Sequence, residues 1–179
     1  IMTDQDHDGS HIKGLVMNVF HHMWPSLLEL GFITSMITPI VKVTHKKKIK
    51  SFYTLTEYND WVKKTKNSHL WKVKYYKGLG TSSAKEAREY FSDIKLNNYI
   101  YTEETDKSMS LAFSKDESDM RKEWLYQFDE NLILDHTEKD VKIQDFINKE
   151  LIHFSNSDTL RSIGSLYDGL KPSQRKILY

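Results

Sequence analysis

Three aspartates stand at alternate positions near the amino end, Asp4, Asp6 and Asp8 in "IMTDQDHDGSHIKG", and run into Gly9. Residues two apart on an extended segment project to the same side. Carboxylates at that spacing repel one another unless a cation lies between them. Hard oxygen ligands of this kind suit Mg²⁺ or Ca²⁺. An EF-hand calcium loop shares the first, third, fifth and sixth positions of the pattern. It needs a bidentate Glu at its twelfth position, and Leu15 stands there. A further reading is that the acids are solvated or cap the helix that follows. His7 and His11 flank them without a zinc spacing.

Cations form a second set. Arg121 and Lys122 are adjacent in "SDMRKEWL", and Lys171, Arg175 and Lys176 lie in "DGLKPSQRK". Held on rigid helices, they can pair with phosphates and displace counterions; taken by themselves, exposed basic residues on a helix are most often a solvated face. Lys77 opens the Gly-rich turn "KGLGTSS", which can approach a phosphate through backbone N–H groups. Its spacing is not the GxxxxGK of an ATP-binding loop. The run "HKKKIK" reads as a solvated hairpin tip.

Elements must position these groups. Ile1 to Thr3 reads as a buried strand, with the acidic loop at its end. Ser10 then caps a helix whose apolar residues Ile12, Leu15, Val16, Val19, Phe20, Met23, Trp24, Leu27 and Leu28 recur at helical spacing. Pro25 kinks that helix and Gly31 ends it. "FITSMITPIVKVT" reads as strand, "HKKKIKSFYTL" as a turn and a returning strand, and Thr56 as the cap of a helix through "EYNDWVKKTK". "LWKVKYY" alternates as a strand does, and "AKEAREYF" follows as helix. Ser114 and Glu117 make a capping-box pattern. From Asp145 on, the chain reads mostly as helix. This order predicts the α/β class.

Composition bounds the rest. Among 179 residues, Lys plus Arg is 26 and Asp plus Glu 25, so any nucleic-acid surface is a local patch. The absence of cysteine excludes disulfides, thiolate zinc sites and a cysteine nucleophile. No apolar run is long enough to span a bilayer.

Four segments then carry a resemblance: "IMTDQDHDGSHIKGL", "WKVKYYKGLGTSSAKEAREYF", "LAFSKDESDMRKEWL" and "DFINKELIHFSNSDTLRSIGSLYDGLKPSQRKILY". In this order they resemble the cleavage core of type IIA DNA topoisomerases, the eukaryotic and large-DNA-virus branch. The resemblance implies a TOPRIM fold, Rossmann-like with a mostly parallel sheet and flanking helices, followed by the mainly helical start of a winged-helix domain. It divides the chain into residues 1–128, a linker or hairpin at 129–144, and 145–179. It implies an ATP-dependent enzyme that cuts, passes and reseals duplex DNA, with Mg²⁺ (Mn²⁺ or Ca²⁺ substituting) at Asp4, Asp6 and Asp8, and ATP at another domain. Arg121, Lys122 and Lys171 match DNA-contacting positions, with Lys77, Arg175 and Lys176 as further candidates. It implies a homodimer that is not membrane-bound. The expected location is intracellular: nuclear if cellular, host cytoplasm or nucleus if viral. The family's catalytic glutamate and nucleophilic tyrosine have no counterpart here; Tyr179 matches an aromatic core position. Gly164 stands where many relatives have Pro. Alternatives are a TOPRIM primase or nuclease and a non-enzymatic Ca²⁺-binding module.

Overall fold

The computed structural model describes residues 1–76, 79–135 and 138–179. Helix α1 runs His7–Met23 and α2 runs Pro25–Glu29. Pro25 forces the break: it cannot donate to the preceding turn, and its fixed φ suits the first position of a new helix. Gly31, at φ +67°, then takes the left-handed conformation that ends the helical stretch. Asp6, and not Ser10, caps α1, its Oδ1 accepting the Gly9 N–H at 2.8 Å.

Two small sheets follow. Strands β1 (Thr34–Met36), β5 (Leu96–Ile100) and β6 (Asp140–Lys142) form one, in the order β1-β5-β6. Strands β2 (Val41–His45), β3 (Lys48–Phe52) and β4 (Lys72–Tyr75) form the other, in the order β3-β2-β4. The stretch expected as one strand is thus divided between sheets, with Pro39 in the break. Ile1–Thr3 is not a strand, although Ile1 bonds both Thr34 O and Met36 N beside β1. The residues expected as a linker or hairpin contribute β6.

The α/β class holds, but the pairing sense corrects the expectation of a mostly parallel sheet. Among the described residues only β5–β6 is parallel; β1–β5, β2–β3 and β2–β4 are antiparallel. The physical reason is local. A turn at Lys46–Lys47, with Lys46 at φ +55°, folds β2 straight back on β3, and such short turns join only antiparallel strands.

Capping boxes start α3 (Leu55–Lys64) at Thr54 and Glu57, and α4 (Ala84–Ser92) at Ser83 and Glu86. Thr54 therefore takes the role expected of Thr56. Helix α5 spans Thr105–Phe113 and α6 spans Ser118–Tyr126, joined by a tight turn that Ser114 caps. The last long helical run begins with α7 (Ile143–Phe146), passes through a π-helical turn (Ile147–Leu151) and continues as α8 (Ile152–Ser162). Helix α9 is Pro172–Leu178.

The main core gathers Met17 of α1, Leu28 of α2, Tyr99 of β5, Met109 of α5 and Ile143, Phe146, Ile147 and Leu151 of the last run. A second cluster, Val41, Val43 and Phe52 with Tyr58, Trp61 and Trp71 against it, holds the β3-β2-β4 sheet to α3. In α1 the inward face is Gly9, Ser10, Lys13, Gly14 and Met17. Ile12, Leu15, Val19 and Met23, expected in the apolar stripe that faces the core, are each 44–58% exposed. Gly14 lets α5 and the π-helical turn approach α1 closely, since a Cβ there would touch Phe113 and Leu151.

Candidate metal and nucleic-acid site

The acidic loop is wrapped tightly against the start of α1. A Cβ on Gly9 would collide with the carbonyl oxygen of Asp4, so only glycine permits this curl. Asp4 is exposed and Asp6 half-buried, both on the loop side of the helix start. Asp6 is the last extended residue, at φ −104° and ψ 177°. Asp8 has already entered the helix, so the three carboxylates do not continue one row. The Arg161 guanidinium of α8 takes Asp8 in a two-point ion pair, Nη1 lying 3.1 Å from Oδ2, and its Nε donates to Asp158 at 3.1 Å. That pairing holds the Asp8 carboxyl below the usual carboxylate range and pushes the Arg161 pKa up. The helix is clasped further by ring contacts: His11 stacks on Phe154 at 4.0 Å and His7 on His153 at 5.8 Å.

Among the described residues, no group of three His, Asp or Glu side chains comes together around a metal position. The donor set still fits Mg²⁺, which keeps several waters and takes only one or two carboxylates plus phosphate oxygens. Asp4 and Asp6 are the two of the expected three that lie on the loop ahead of the helix. Asp8 is committed to Arg161.

Beneath the loop lies a buried polar cluster. Lys13, 4% exposed at its side chain, donates to Glu150 Oε1 at 2.8 Å, and the Ser10 hydroxyl donates to the same oxygen at 2.7 Å. Tyr99 Oη and Ser35 Oγ are 2.9 Å apart. Burial works against the Lys13 ammonium, but Glu150 and Tyr99 outweigh it and hold its pKa above the usual value. Burial pushes the Tyr99 phenol up to about 12. A cavity of about 220 Å³ beside this cluster is lined by Asp6, His7, Ser10, Glu150 and His153, among others.

The expected DNA-contacting cations are placed differently from one another. Arg121 lies along α5, its Nη1 donating to the carbonyls of Leu111 and Ser114, so it caps that helix. Lys122 is exposed and reaches Asp119 at 2.6 Å. Lys171 stands exposed at the entrance to α9, its N–H donating to Gln174 Oε1 at 2.8 Å. Arg175 is paired with Asp168 at 2.7 Å, and Lys176 is exposed on the same helix. Lys77 lies outside the described residues. A cavity of about 810 Å³ between α3, β3 and β5 is lined by Lys50, the last residue of "HKKKIK", and by Lys64, Lys95 and Lys139, among others.

Sequence reasoning missed Lys13, Glu150 and Arg161. Lys13 left a signal: it falls at i+4 from Gly9 and i−4 from Met17, in the middle of the small-residue side of α1. Glu150 and Arg161 left none, because their partners are 140 and 153 residues away.

A mixed α/β unit with an acidic loop at a helix start is what this geometry defines. The chain belongs to the family described as the C-terminal associated domain of TOPRIM, whose model matches residues 36–159. It is 52% identical over its whole length to DNA topoisomerase 2-beta of Gallus gallus and to DNA topoisomerase 2-alpha of Homo sapiens. It spans 12% and 13% of the length of those relatives. Among solved structures it resembles the Plasmodium falciparum topoisomerase II DNA-binding, cleavage and re-ligation domain, with a TM-score of 0.89 and 50% identity. That match covers all of this chain and 25% of the other. The resemblance to type IIA DNA topoisomerases carried by the four segments holds.

Proposed function

We propose that this chain is part of the DNA-cleavage core of an ATP-dependent type II DNA topoisomerase. Asp4 and Asp6 supply carboxylates to Mg²⁺, and Lys122, Lys171 and Lys176 contact the DNA backbone. The observation that carries this reading is the acidic loop itself. Two of its carboxylates sit at a glycine-tightened helix start and the third is anchored by a cation from a distant helix, in a chain half identical to a DNA-cleaving domain. A divalent ion held there offsets negative charge on phosphodiester oxygens. Asp6 orients the first turn of α1 by capping it; Asp8 and Arg161 lock that turn to α8. Arg121 shapes the α5–α6 corner from which Lys122 projects. Lys77, Arg175 and Lys176 extend the basic contacts, with residues 145–179 as the start of the winged-helix part. The enzyme acts on duplex DNA as a homodimer, with ATP used at another domain. It is nuclear if cellular. Among the described residues no helix is long and apolar enough to cross a membrane.

The test uses the full-length protein that carries this chain. Asp4→Asn and Asp6→Asn should each lower Mg²⁺-dependent cleavage of supercoiled DNA by about ten- to a hundredfold or more. Lys171→Ala should weaken DNA binding and flatten its salt dependence. Folded Asn variants that cleave as fast as the parent would remove the metal assignment.

A further inference from the structure

We propose that Glu150 is a positioning residue for the acidic loop, acting through Ser10 and Lys13 without touching the bound ion. This rests on the reading of Asp4 and Asp6 as metal ligands. Glu150 belongs to the π-helical turn Ile147–Leu151. An α-helix advances about 100° per residue, so the extra residue of a π turn re-aims the side chains that follow it by about that angle. Arg161 lies beyond that turn; Glu150, within it, presents one carboxylate oxygen to two residues of α1 a turn apart, Ser10 at 2.7 Å and Lys13 at 2.8 Å. The turn is braced from behind, since Trp124 Nε1 donates to Asn148 at 2.9 Å. Ser10 in turn moves with Asp6, whose carbonyl accepts the Ser10 N–H at 3.1 Å. Farther along the same helical run, Arg161 holds Asp8. The start of α1 therefore hangs from one helical run, by charge at Glu150 and Arg161 and by ring contacts at His153 and Phe154. On its cavity side, about 220 Å³ of space bordered by Asp6 and Ser10 gives the first turn room to shift once Glu150 lets go.

The experiment is a Mn²⁺ titration of the full-length, nucleotide-free protein by electron paramagnetic resonance, with melting temperature measured alongside. Glu150→Gln, Ser10→Ala and the double variant Lys13→Met with Glu150→Leu should each lower Mn²⁺ affinity about tenfold. The double variant should melt near the parent, because replacing both members of a buried ion pair with apolar residues is often neutral for stability. A purely structural pair predicts the opposite: unchanged affinity wherever the protein folds. Parent-like Mn²⁺ binding in Ser10→Ala and in the double variant overturns the positioning role. Ser10→Ala decides the matter alone if the double variant does not fold, since it removes a single hydroxyl. Asp4→Asn with Asp6→Asn separates the two readings. If that pair abolishes Mn²⁺ binding while Ser10→Ala does not weaken it, the ligand assignment stands and the positioning proposal falls. If that pair leaves binding intact, the ligand assignment falls and takes this proposal with it.

Discussion

Replacing Gly9 with alanine sets two known effects against each other at one atom. Gly9 is a helical residue, and alanine in a helix interior is favoured over glycine by about 1 kcal/mol. With open space around it, Gly9→Ala would stabilise the protein. The added Cβ, however, meets the carbonyl oxygen and carbon of Asp4, and these are backbone atoms that cannot swing aside. Overpacking against unyielding atoms costs about 1–3 kcal/mol and sometimes more. Against two backbone atoms the clash falls in the upper part of that range and wins, with a net loss of about 1–2 kcal/mol. For a chain of this size that lowers the melting temperature by about 2–8 °C. The cheapest relief is to lift the Asp4–Asp6 segment off the helix, so Mn²⁺ affinity should fall together with stability. Gly80→Ala is the internal control, because a Cβ there has no neighbour within 4 Å. Differential scanning calorimetry and a Mn²⁺ titration read both quantities. A Gly9→Ala protein that melts at or above the parent temperature and binds Mn²⁺ equally well would refute the loop geometry on which the site depends.

Lys13→Met alone should destabilise by about 3–5 kcal/mol, since it leaves the Glu150 carboxylate buried without its cation; chemical denaturation measures this. Glu86 carries an acid-sensitive share of stability. Despite partial burial, bonds from Tyr76, Lys74 and Ser83 hold its pKa down to about 2, against the usual 4.5. A depressed carboxylate stabilises above its unfolded pKa, so this share is complete above about pH 4.5 and is lost as pH falls toward 2. Discounted for solvent screening it amounts to about 1–2 kcal/mol, and Glu86→Gln should flatten the fall in melting temperature between pH 5 and pH 3. Trp124→Phe removes the bond to Asn148 in the π turn and should cost about 1 kcal/mol, with a matching loss of amide protection at residues 147–151 in hydrogen exchange. Gly164→Ala should loosen the turn that follows α8, because its Cβ would strike the Gly169 carbonyl oxygen; faster proteolytic nicking in 163–171 reports it.

Local rules were enough for much of this molecule. The break at Pro25, the stop at Gly31, the helix through "AKEAREYF" and the exposed lysine turn of β2–β3 each depend on interactions spanning a few residues. Capping went astray by small steps: the helices begin at Asp6 and Thr54, where a side-chain oxygen meets a free N–H, although Ser10 and Thr56 have the same chemistry. The acidic loop was legible because its residue types and spacing are themselves the chemistry. The inward face of α1 was not. That helix carries apolar residues on both sides, and periodicity gives a phase without saying which side meets a partner. Small residues at 9, 10 and 14 allow close helix approach, and this close approach chose the buried face over the bulkier stripe.

Four ordered segments determined the family, and the helical spacing of apolar residues most helix positions, before any coordinates. Tertiary structure alone decided that Asp8 answers to Arg161, that one oxygen of Glu150 holds Ser10 and Lys13, and that β1 pairs with β5 and β4 with β2 in antiparallel sense. Those pairings join residues up to 153 positions apart. The reason is one of range: caps and turns are settled by neighbours along the chain, whereas buried charges find partners only after the core has closed around them.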